Sequence, residues 1–73
     1  MHVGTISKLY PESEHGKILT SAGEEAHFHK ACLWNTPFDD LHEGDHVEFE
    51  MEPSHKGFRA FHIRREKVET RMF

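Results

Sequence analysis

The side chains with most chemical reach in this chain are its imidazoles, eight among 73 residues, together with a single thiol at Cys32. His27 and His29 stand two apart, on one face of an extended segment, and His15 belongs to the segment before it, so three imidazoles can converge as Zn²⁺ ligands with Cys32 a poor fourth. The spacing argues against that use: neither C-x-x-C nor H-E-x-x-H occurs, and histidine pairs on exposed strands ordinarily serve as polar surface. No metal or other cofactor is therefore expected. Imidazole's second chemistry is charge. Because its ordinary pKa is about 6.5, the eight histidines can move the net charge from −4 toward an equal positive value on mild acidification. Catalysis has no visible machinery. There is no nucleophile elbow and no P-loop, and the carboxylates of strand four alternate onto a wet face, so the chain is not read as an enzyme.

The elements that carry these groups are short. Turn signals at Tyr10-Pro11 through Gly16, Ser21-Ala22-Gly23, Asn35-Thr36-Pro37, Gly44-Asp45 and Pro53 through Gly57 come too often for long helices. Five strands are expected between them, from His2 to Leu9, Lys17 to Thr20, Ala26 to His29, His46 to Met51 and Phe58 to Arg64. The fourth is the clearest, with Val47, Phe49 and Met51 alternating against Glu48 and Glu50. In the fifth, alternation puts Phe61 and Ile63 on one face. Leu9, Ile18, Phe28, Val47, Phe49, Phe61 and Ile63 are the expected core. Closing five short strands into a barrel removes their exposed edges, which predicts an all-β, five-stranded antiparallel OB-fold barrel over residues 1–64, with 65–73 as a C-terminal tail.

Composition bounds the rest. With 36% hydrophobic and 30% charged residues the chain reads as a soluble globular module rather than a disordered tail or membrane segment. A chain this short buries only about 60% of its unfolded surface. With one cysteine it has no internal disulfide, so packing, a metal or self-association must hold it. MHVGTISKLY has no basic opening followed by an apolar run, so no export signal is visible and a cytoplasmic location is expected.

The order of these pieces resembles the cold-shock domain, the small nucleic-acid-binding OB barrel of bacterial cold-shock proteins, from about Gly4 to Ile63. Gly4-Thr5-Ile6 resembles the opening of its first strand, and Ala26-His27-Phe28-His29 followed by Lys30-Ala31-Cys32-Leu33 resembles its third. Leu41-His42-Glu43-Gly44-Asp45-His46-Val47-Glu48-Phe49-Glu50 is similar to the family's L-x-E-G-x-x-V-x-F-E almost letter for letter. Lys56-Gly57-Phe58-Arg59-Ala60-Phe61-His62-Ile63 is similar to its closing K/R-G-x-x-A-x-N-V, departing at Phe58 and His62.

The resemblance implies a surface for single-stranded RNA or DNA, and there this sequence diverges. The family's K-G-F-G-F-I and V-F-V-H carry rings that stack on bases; here the ring positions hold His15, Lys17 and His27, with His29 kept. The exposed tryptophan of strand one falls at Lys8, and the aromatic after His29 falls at Lys30. Phe38 matches a loop aromatic, Trp34 is an added ring, and Lys56 and Arg59 extend the basic rim. Stacking is worth about 1–3 kcal/mol per base, so three lost platforms remove at least about a hundredfold in affinity. The face turns from a stacking platform to an electrostatic one. Acidic Glu43, Asp45, Glu48, Glu50 and Glu52 gather around strand four, expected on the barrel's other side, so a net charge of −4 coexists with a basic patch. The expected function is weak, sequence-tolerant binding of single-stranded RNA or DNA, with no membrane partner. The alternative is a barrel that has given up nucleic acid for protein contacts or homodimerisation, using Trp34, Phe58, Met72 and Phe73.

Overall fold

A computed structural model describes residues 2–55 and 57–65. The described chain is all-β apart from two single 3₁₀ turns: β1 (His2–Tyr10), β2 (His15–Thr20), β3 (Glu25–His29), β4 (His46–Ser54) and β5 (Gly57–Arg65) close into a barrel in the order β1-β2-β3-β5-β4. This is an OB-type barrel. Four seams are antiparallel, and β3 meets β5 in parallel. Among the described residues no helix is long and apolar enough to cross a membrane.

Alternation writes most of the core. Ile6 on β1, Ile18 on β2, Ala26 and Phe28 on β3, Val47 and Phe49 on β4, and Ala60 and Ile63 on β5 are buried, joined by Leu41 from the long loop. Phe28 and Phe49 are the largest fully buried side chains. Two glycines make room for them and for the closing strands. A Cβ on Gly16 would lie 2.7 Å from the Lys8 carbonyl oxygen and 2.9 Å from the Phe28 ring, and one on Gly4 would lie 2.6 Å from the Leu19 carbonyl oxygen.

The strands run longer than the sequence predicts. β2 begins at His15 because Tyr10 and His15 pair beside the turn of the β1–β2 hairpin. β4 passes through Pro53, which pairs with Phe58; among the described residues β4 pairs with β1 only as far as Phe49, so the missing N–H interrupts no second ladder there. Thr20, buried at the end of β2, turns the chain toward β3: its Oγ1 accepts from the Ala22 and Glu24 amides at 3.2 and 3.1 Å.

Two core assignments change. Leu9 is half-buried and packs on the rim of the core, while Phe61 is half-buried on the outer side of β5, away from the core cluster. Along β5 a step of three residues, Arg64 to Phe61, matches a step of two on β4, Glu48 to Glu50, and His62 within that bulge has φ 53°. The extra residue breaks the alternation, so Ala60 and Ile63 face inward and Phe61 joins Arg59 outside. Phe58, expected as exposed, is half-buried against the core. Lys56, Met72 and Phe73 lie outside the described residues, as does the expected tail after Arg65.

Candidate functional site

Strand register assembles the predicted side chains into two rows on the outer face. In one, Lys8 pairs with Lys17, Lys17 with His27, and His27 with Arg59, crossing β1, β2, β3 and β5. With strands about 4.8 Å apart the row spans about 14 Å of surface. In the other, Tyr10 pairs with His15 and His15 with His29. The inward residues between these rows are Leu9, Gly16 and Phe28.

The charges are not equally available. Lys30 bonds Glu14 at 3.1 Å and Arg59 bonds Glu52 at 2.7 Å, both pairs exposed. Lys8 and Lys17 make no ion pair among the described residues. They stand directly opposite one another, an arrangement that like charges disfavour and that a bound anion or screening salt relieves. The acidic group is not confined to the far side as expected: Glu52 pairs with Arg59 at the end of the row, because β4 and β5 form one hairpin. Elsewhere Glu48 bonds Arg64 at 3.3 Å, and Glu43 accepts from the Leu9 amide at 3.1 Å.

The imidazoles take separate tasks. His15 lies against Tyr10, ring centres 4.9 Å apart. His29 caps the 3₁₀ turn Lys30–Cys32, its Nδ1 accepting from the Ala31 amide at 3.2 Å, so the neutral ring carries its proton on Nε2. His27 lies between Lys17 and Arg59 in the row. Among the described residues no three His, Cys, Asp or Glu side chains are grouped to hold a metal ion. Cys32 is a free, half-buried thiol packed on the core.

The two loop rings part company. Phe38, opening the 3₁₀ turn Phe38–Asp40, is half-buried against the core, whereas Trp34 is 54% exposed and meets His62 edge-on at 5.5 Å. Sequence reasoning missed three rings at this surface, Tyr10, Phe61 and His62. Tyr10 was within reach, since it stands two residues from Lys8 and so shares its face; the other two depend on the bulge. A comparison with models of known protein families finds no match, and a comparison with curated proteins finds no similar sequence.

Proposed function

We propose that this chain binds single strands of RNA or DNA on the outer face of β1, β2 and β3, weakly and without sequence preference, as a cytoplasmic RNA chaperone or regulator of the cold-shock kind. The observation that carries this reading is the register of Lys8, Lys17, His27 and Arg59 in one row across four strands. A net negative protein that places opposite each other two lysines with no ion pair among the described residues holds a local field suited to a polyanion backbone. The resemblance of Gly4 to Ile63 to the cold-shock domain, whose ligands lie on the corresponding face, supports the same surface.

The test is a titration of Trp34 fluorescence, with amide NMR shifts, using oligothymidine and oligouridine at low salt, at about pH 6.0 and about pH 7.5. Saturable shifts at Lys8, His15, Lys17, His27 and His29 that tighten at the lower pH support the reading, because protonated imidazoles add cations to both rows. Equal affinity at the two pH values removes the histidine part of it. No saturable shift at either pH removes nucleic acid altogether.

A second reading rests on a different surface. Val3 and Leu19 are 44% and 46% exposed, and both lie beside Thr5 on the outer face near the start of β1. A protein contact or homodimer would cover them, and sedimentation at micromolar concentration distinguishes this: a dimer that shields Val3 and Leu19 while oligonucleotides leave the protein untouched favours it.

A further inference from the structure

At the Arg59 end of the cationic row the surface changes character. The bulge in β5 turns Phe61 outward and sets His62 in the left-handed region at φ 53°, a conformation uncommon for a residue with a Cβ. Bulges of this kind re-aim side chains beside binding sites. Three rings meet as a result. His62 lies 5.5 Å from Trp34 and 5.1 Å from Phe61, at interplanar angles of 66° and 65°, so neither contact is a parallel stack. Trp34 remains 54% exposed, yet its backbone is fixed: its amide donates to the Ile63 carbonyl at 2.7 Å, and its carbonyl accepts from the Thr36 hydroxyl at 3.1 Å. A ring carried on a fixed backbone has less freedom to lose when it takes a ligand.

Between β5 and the segment after β3 runs a groove lined by Ala31, Leu33, Trp34, Arg59, Phe61 and His62. Arg59 belongs to both features, lining the groove and pairing in register with His27. Its bond to Glu52 is made through one terminal nitrogen, and a guanidinium has five N–H donors, so others remain for a phosphate. We propose that this groove takes one nucleobase of the strand whose phosphates follow Lys8 and Lys17, the base lying against Trp34 and Phe61 and the adjoining phosphate meeting Arg59. The inference rests on the nucleic-acid reading and deepens it: stacking is not abandoned here but moved from β2 and β3 to the edge of β5. A single strand joins a flat ring to an anion at every residue, the same pairing that the groove and the row present side by side.

The experiment measures anisotropy of a labelled oligothymidine of about eight nucleotides, within the site size of one OB fold, and of an abasic strand with the same phosphates. Trp34→Ala is expected to weaken oligothymidine about 5- to 150-fold, with the loss persisting at high salt, while Trp34→Phe recovers most of the affinity. Phe61→Leu, which keeps bulk but no π face, is expected to weaken it in the same direction without unfolding the barrel. The abasic strand should bind the unaltered protein and Trp34→Ala alike. If Trp34→Ala and Phe61→Leu both stay within about twofold of the unaltered protein on oligothymidine, the base subsite is overturned while strand binding stands. If the unaltered protein binds neither strand, the nucleic-acid reading itself fails and the subsite falls with it.

Discussion

On the proposed reading, Lys17 is a residue placed for binding at the expense of folding. It stands opposite Lys8 on one side and His27 on the other, and it has no carboxylate partner among the described residues. Lys17→Gln removes a like-charge pairing, so stability should stay within about 0.5 kcal/mol of the original or rise. Affinity for oligothymidine should fall in the same variant, and the slope of log affinity against log salt should shrink by about 0.7. Urea melts and a salt series read the two effects separately; a loss of both together would mean Lys17 is merely structural. Gly16 is the converse case, a residue that serves the fold alone. Adding a Cβ 2.7 Å from a backbone carbonyl and 2.9 Å from the Phe28 ring leaves nothing flexible to yield, so Gly16→Ala should cost about 1–3 kcal/mol by urea unfolding.

Among the elements, β3 and β4 were legible and β5 was not. Ala26 and Phe28 against His27 and His29, and Val47 and Phe49 against Glu48 and Glu50, follow the two-residue period that any half-buried strand must show. Their faces could therefore be assigned from residue type. β5 carries a bulge at His62, and a bulge with a left-handed residue is ordinarily marked by glycine; histidine there gives no such signal. The period slipped by one residue there, Phe61 was placed in the core, and the aromatic groove went unseen. The bulge also makes a prediction about itself. A β-branched residue tolerates φ 53° far worse than glycine does, so His62→Val should be less stable than His62→Gly by about 1–2 kcal/mol. Both variants lose the ring contacts with Trp34 and Phe61, so their difference in urea midpoint isolates the backbone.

For the whole molecule, net charge does not describe the field on every face. The chain is at −4, yet several of its acids are engaged locally, Glu14 with Lys30, Glu48 with Arg64 and Glu52 with Arg59, which leaves Lys8 and Lys17 to shape the field on one face. Two phosphates neutralised by these two lysines imply a salt slope of about −1.4, steepening at lower pH as imidazoles charge. A salt series at about pH 7.5 and about pH 6.0 checks it; a slope near zero would sink the electrostatic account. The candidate face was legible because its residues fall on particular strands, and strand order supplied the rest. What residue type could not reveal was which cations are already paired, since Arg59 finds Glu52, and Lys30 finds Glu14, only once the barrel closes.

The parallel seam between β3 and β5 is short, two register pairs, Ala26 with Phe58 and His27 with Arg59, drawn from segments about thirty residues apart. Closing such a seam must await the hairpins on either side of it, and it gains the fewest backbone bonds for the chain entropy it consumes. The barrel has, in effect, a zip whose last teeth meet at His27 and Arg59. A strand lying across Lys17, His27 and Arg59 straddles those teeth, so occupancy and closure reinforce each other. Saturating oligothymidine should slow amide hydrogen exchange around residues 58 and 59 more than in the β1–β2 hairpin, and should raise the melting temperature by an amount that grows with ligand concentration. Release of the strand would then be timed by how often the zip parts.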